Sequence, residues 1–212
     1  MGARRSPARA QSTDAPYNGR VSRFPDLPPR LPRRGNALSK AFARGLLALF
    51  GWRVTGELPD RPKLVAIVAP HTSNWDFVVG ILVVFALGLR VRFLGKHTLF
   101  KPPLGWLMRW LGGTPVVRET PQGAVADAAE MITREERVLL GIAPEGTRSR
   151  GTPWRSGFYN IALAAKVPVL PAAFDFGRKS LTLFPLFEPT GDFDADLAKL
   201  QALYAGVTGC NP

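Results

Sequence analysis

Cysteine is almost missing from this chain: Cys210 stands alone among 212 residues, so an intrachain disulfide is excluded and the sequence suits a reducing compartment. Histidine is nearly as scarce. With only His71 and His97, the chain lacks the ligands of an ordinary zinc site, and no metal is expected. Long apolar runs are missing too, because the longest, Phe77 to Leu89, has 13 residues, short of the roughly 18 to 20 that span a bilayer. The beginning is basic, polar and proline-rich, with no apolar h-region, so neither a signal peptide nor a transmembrane span is expected. Acidic residues are in short supply, 16 against 28 Lys and Arg, and the net charge of +12 points to an anionic partner. That partner is a nucleic acid, a lipid surface or a phosphorylated substrate. No nucleic-acid motif is visible, and half of the excess charge lies in residues 1–35, so a nucleic-acid partner is not expected.

What remains is ample for one folded domain, since 46% of the residues are hydrophobic. Residues 1–35 differ in kind: eight arginines face only Asp14 and Asp26, and apolar positions show no period. The expectation is a disordered basic tail over 1–35, a folded domain over 36–207 and a short C-terminal tail over 208–212.

From Asn36 the pattern becomes periodic. Leu38, Phe42, Leu46, Leu49 and Phe50 recur at helical spacing, with Lys40 and Arg44 opposite and Gly51 as a stop. Such a face either packs on the core or lies in a lipid interface. Runs at 53–56, 63–69, 90–94, 114–118, 137–143, 167–174 and 180–184 read as strands. Between and after them, 77–89, 104–111, 121–135, 158–166 and 192–205 read as helices, and Gly95-Lys96-His97 as a turn. The alternation predicts an α/β fold, a single-domain sandwich around a mostly parallel central sheet with helices on both faces.

The segment Ala69-Pro-His71-Thr-Ser-Asn-Trp-Asp76 lies where an apolar strand gives way to an apolar helix. Pro70 ends the strand, and Ser73 or Asn74 caps the helix. On one continuous helix, residues five apart point about 140° away from each other. His71 must therefore precede the first turn and fold back over it, with Asp76 inside. In that arrangement the carboxylate accepts from one ring nitrogen and the other is free to take a substrate proton. The plainer alternative is a helix-entry histidine and a favourable first-turn charge.

After the strand ending at Ala143 comes Pro144-Glu145-Gly146-Thr147-Arg148-Ser149-Arg150. Gly146 permits a positive φ or a close backbone approach. Arg148 offers a fork for a phosphate or carboxylate, Thr147 a hydroxyl, and Glu145 a group to orient the arginine or accept from a substrate hydroxyl. A polar turn with a surface ion pair is the structural alternative. Lys96 follows the strand at 90–94 and Arg118 ends the one at 114–118, and in a parallel sheet both reach the edge that carries His71 and Glu145. His97, with no carboxylate near in sequence, is a turn residue or a minor contact.

Four blocks in order resemble the glycerolipid acyltransferases of the 1-acylglycerol-3-phosphate group. They are His71-Thr-Ser-Asn-Trp-Asp76, with the His-x4-Asp pattern; Gly95-Lys96 through Arg118; Glu145-Gly146-Thr147-Arg148-Ser149; and Val167-Pro-Val-Leu-Pro171. The resemblance covers about residues 37–205 and implies transfer of a fatty acyl group to a hydroxyl of a lysophospholipid. The donor it implies is an acyl thioester, acyl-CoA or acyl-ACP, with no cofactor beyond that co-substrate. It further implies that His71 is the general base, that Asp76 holds its tautomer, and that Arg118, Glu145, Gly146, Thr147 and Arg148 hold the acceptor's phosphate and glycerol. Family members commonly sit on membranes, so a peripheral or monotopic place on the cytoplasmic face is expected, with acyl carrier protein a partner where the donor is acyl-ACP. The chain departs from the pattern at Val117, where the family often has Asp, and at Arg155, where it has Lys. Two readings from other classes compete: a hydrolase with Ser73 or another serine as nucleophile, for which no Gly-x-Ser-x-Gly elbow is present, and a non-enzymatic basic module that binds nucleic acid or anionic membrane.

Overall fold

Strand β2 (Lys63–Ala69) is apolar at nearly every position because both of its faces are covered, as a central parallel strand requires. The computed structural model describes residues 23–116, 121–147 and 152–211. Around β2 are the strands β1 (Arg53–Thr55), β3 (Val91–Lys96), β4 (Gly113–Val116), β5 (Val138–Ile142), β6 (Val169–Asp175) and β7 (Ser180–Leu183). Helices α1 (Ala37–Leu49), α2 (Asn74–Leu87), α3 (Gly105–Trp110), α4 (Pro121–Arg134), α5 (Gly157–Ala165) and α6 (Phe193–Ala202) fill the connections and both ends. Among the described residues one seven-stranded sheet forms, in the order β1-β7-β6-β2-β5-β3-β4.

Every neighbouring pair is parallel except β6 with β7. That exception follows from chain length, since the four residues between Asp175 and Ser180 suffice for a turn but not for a crossover. Asp175 fixes the turn by accepting from Arg178 N–H at 2.9 Å and pairing with its guanidinium.

The alternation of β2 divides the core into two layers. Leu64 and Ala66 pack with Val79 and Val83 of α2 and Leu47 of α1. Val65 and Ile67 point the other way, into Ile132 of α4, Phe158 and Ile161 of α5 and Leu200 of α6. The expected α/β sandwich is what forms, with helices on both faces of a mostly parallel sheet.

Several local readings change. Residues 23–35, expected as the end of a disordered tail, are ordered: Phe24 and Leu31 are buried in the first layer. Arg23 and Pro32 accept from Val54 and Arg90, while Arg34 N–H donates to Gly88. The sparse apolar residues of this stretch meet pockets made by distant elements, which no local period records. Residues 1–22 lie outside the described residues. The turn expected at Gly95-Lys96-His97 is instead the end of β3, paired with β4 through Lys96, and a short 3₁₀ turn begins at His97. Gly95 serves a close approach, because a Cβ there would lie 3.0 Å from the Phe100 ring. Helix α2 stops at Leu87 because Gly88 adopts the left-handed conformation, with φ 72°.

Candidate active site

His71 precedes α2, whose N-cap is Ser73 and whose third residue is Asp76. Ser73 Oγ accepts from Trp75 N–H at 3.1 Å, and Asp76 Oδ2 accepts from Ser73 N–H at 2.8 Å. These contacts belong to a capping box, which satisfies helix-end donors reciprocally. Asp76 is thus a first-turn helix acid, as the plainer sequence reading held. The same oxygen accepts from Thr72 N–H at 2.7 Å and lies 3.1 Å from His71 Nδ1. The carboxylate is 1% exposed, so folding has removed it from water and given it three backbone and ring nitrogens in exchange. With the proton on Nδ1, facing the acid, Nε2 is the basic atom of His71.

Glu145 lies beneath the histidine. Its Oε1 accepts from His71 N–H at 3.2 Å, and burial pushes its carboxyl above the usual Glu value, against hydrogen bonds from the main chain of Glu145 and His71. The observed partner of Glu145 is therefore the main chain of the general-base candidate, whereas the sequence reading had it orient an arginine or meet a substrate hydroxyl.

A cavity of about 710 Å³ opens beside His71, between the ends of β3 and β5 and helices α4 and α5. Leu94, Leu99, Val125, Ile142, Phe158 and Ile161 give it an apolar wall. Its polar lining comes from His71, Lys96, Thr98, Thr147 and Arg155. Of the residues singled out in the sequence, His71, Lys96, Gly146 and Thr147 share this cavity, while Asp76 and Glu145 stand behind His71. Gly146 has φ +65°, a left-handed conformation that favours glycine, and the Arg155 side chain lies within van der Waals reach of it. Arg118 and Arg148 lie outside the described residues. His97 is exposed and does not line the cavity.

Sequence reading missed Arg155 as a cavity residue, although its place in the order of blocks marked it. It also missed the segment Thr208–Asn211 as a neighbour of the site. Asn211 Nδ2 donates to Thr72 O at 2.9 Å, and no local pattern announces a contact between residues so far apart in sequence.

The chain is similar to known proteins in sequence and in fold. Residues 52–175 match the family model described as Acyltransferase. The 1-acyl-sn-glycerol-3-phosphate acyltransferase of Escherichia coli strain K12 is 29% identical over 165 residues, covering 73% of this chain and 65% of that protein. The human 1-acyl-sn-glycerol-3-phosphate acyltransferase beta is 29% identical over 143 residues, with 63% and 50% covered. The chain thus spans less than two thirds of the length of these relatives. In fold it is similar to the crystal structure of the 1-acyl-sn-glycerophosphate acyltransferase of Thermotoga maritima, with a TM-score of 0.54, 23% identity, and 81% and 80% of the two chains covered. With more than half of its residues inside the matched region, and the His71–Asp76 pair within it, this chain belongs to the acyltransferase family.

Proposed function

We propose that the chain transfers a fatty acyl group from an acyl thioester to a hydroxyl of a lysophospholipid, 1-acylglycerol-3-phosphate or a related lysolipid. The observation that carries the reading is His71 Nδ1 held 3.1 Å from the buried Asp76 at the wall of a cavity that also presents Lys96. His71 Nε2 takes the acceptor's hydroxyl proton as the oxygen attacks the thioester carbonyl. Asp76 stabilises the imidazolium that results. Collapse of the tetrahedral intermediate breaks the C–S bond, and the imidazolium returns the proton to the leaving thiolate. Lys96 and Thr147, with Arg118 and Arg148, hold the acceptor's phosphate as charge-assisted donors. Glu145 secures the main chain of His71, and the bare Gly146 lets the loop approach the ligand. The donor is acyl-CoA or acyl-ACP, the latter making acyl carrier protein a partner, and no metal or prosthetic group enters the step. Ser73 Oγ is occupied as a helix cap, which favours direct transfer over a serine nucleophile.

The same reading includes a peripheral or monotopic seat on the cytoplasmic face of a membrane, from which the lipid acceptor is drawn. Among the described residues no helix is long and apolar enough to cross a membrane. The support is the outer face of α1, where Leu38, Phe42 and Leu49 are 79%, 67% and 77% exposed.

A labelled acyl thioester offered with a panel of lysolipids tests the reading. Transfer is expected, with phosphorylated acceptors preferred over uncharged ones. His71→Ala and Asp76→Asn should each lower the rate at least about a hundredfold while the protein stays folded. Retained turnover in both variants rules out the assigned roles.

A further inference from the structure

Thr208–Asn211 runs back across the β2–α2 connection. The carbonyl of Thr208 accepts from Phe176 N–H at 2.9 Å, which anchors the segment beside the β6–β7 turn. Gly209 then comes so near the catalytic loop that a Cβ would lie 2.8 Å from Thr72 Oγ1 and 3.3 Å from Pro70. Asn211 makes two hydrogen bonds to one residue of that loop: its main-chain N–H donates to Thr72 Oγ1 at 3.2 Å, and its Nδ2 donates to Thr72 O at 2.9 Å.

The peptide group joining Thr72 to Ser73 is consequently held at both ends. Its carbonyl accepts from Asn211, and its N–H, that of Ser73, donates to Asp76 Oδ2 at 2.8 Å. A peptide whose oxygen accepts a hydrogen bond becomes a better donor through its nitrogen, because bonds in such a chain polarise one another. The atom receiving that N–H is the one 3.1 Å from His71 Nδ1. Asn211, the Thr72–Ser73 peptide, Asp76 and His71 therefore form one relay of contacts that ends at Nδ1, the ring nitrogen across from the basic Nε2.

We infer that Asn211 is a positioning residue for the reaction, acting through the Thr72–Ser73 peptide to fix the carboxylate that orients His71. Its kinetic consequence rests on the acyl-transfer reading above. The geometric consequence does not.

The test compares the full chain with Asn211→Ala, Asn211→Asp and Gly209→Val, by steady-state kinetics and by amide hydrogen exchange. Losing one hydrogen bond at this point should lower kcat about three- to tenfold and leave KM for donor and acceptor within about twofold, since Asn211 does not line the cavity. Exchange at Thr72 and Ser73 should quicken while exchange along β2 stays as it was. Asn211→Asp keeps the size and removes the donor, so it carries the expectation if Asn211→Ala does not fold. An unchanged kcat, a change confined to KM, or faster exchange spread over the whole sheet overturns the inference. If the parent chain moves no acyl group to any acceptor, the acyl-transfer reading fails, and exchange at Thr72 and Ser73 alone decides whether Asn211 holds the loop.

Discussion

Two carboxylates flank His71, and their surroundings set them apart. Asp76 takes three nitrogens on one oxygen, whereas Glu145 receives one main-chain N–H from the histidine. Burial is the larger influence on Glu145 and favours its neutral form. The folded state then binds the proton more tightly than the unfolded chain, so stability falls as pH rises from the ordinary value of 4.5 through the raised folded value. Glu145→Gln keeps an acceptor for His71 N–H without the charge. In urea titrations its unfolding midpoint should match the parent's near the acid end and exceed it increasingly as pH climbs past 4.5; a constant gap from acid to neutral pH would speak against a neutral-favouring site. At this scale the sequence suggested the His71–Asp76 pair, because a histidine placed just before a helix can fold back over an acid in its first turn, and the 3.1 Å contact is what forms. It did not disclose the partner of Glu145, since that contact joins two separate connections and depends on β2 lying next to β5.

Helix α1 presents an element-scale consequence of its stripe. Its buried residues are Ala43 and Leu47, neither of them in the stripe read from the sequence, of which Leu38, Phe42, Leu49 and Phe50 are exposed. Helix α2 is apolar around its whole circumference, with Trp75 and Val78 exposed, and α3 adds Trp106 and Trp110. Arg34 lies over the rings of Trp110 and Phe85, 4.2 and 5.3 Å from their centroids, which ties α3 to α2 through a cation. Replacing Phe42 and Leu49 with serine should weaken sedimentation with anionic vesicles by about ten- to a hundredfold per residue, given roughly 1.5 to 3 kcal/mol for each large apolar side chain removed from water, and leave turnover on a detergent-dispersed acceptor intact. Vesicle binding equal to the parent's would remove α1 from the membrane seat. The sequence supplied the helix but left its two destinations open, because period marks an apolar face without naming what covers it.

Across the whole molecule, the sheet was legible as alternating strands and helices, but its order was not. Parallel pairing of β2 with both β5 and β6 depends on contacts more than seventy residues apart, which periodicity does not encode. The closing helix shows the same limit. Asp192 caps α6 as its position suggests, while Asp196, equally a first-turn acid in the sequence, is fully buried and accepts from the Tyr159 hydroxyl at 2.8 Å and from Thr190 N–H at 2.7 Å. Burial alone would raise its pKa; bonds from Thr190, Tyr159 and Lys199 prevail and bring it down to about 2. The stability it contributes is present above the ordinary value of 3.8 and is lost as pH falls toward 2. Asp196→Ala, which strands the buried Tyr159 hydroxyl and takes the acceptor from the Thr190 N–H and hydroxyl, should lower the unfolding free energy by roughly 2–4 kcal/mol at neutral pH, with the deficit shrinking below pH 3.8. A denaturation series that finds no deficit at neutral pH would show the network to be dispensable.

Strands β2, β3 and β5 lie side by side and run the same way, so each delivers its own connection to a common rim. Under the proposed function, proton transfer falls to the connection leaving β2, and the grip on the anionic head to the end of β3 and the stretches that follow β4 and β5. Separate stretches of chain with separate duties can be altered one at a time, and a lineage built on this plan is free to change its acceptor while its base stays as it is.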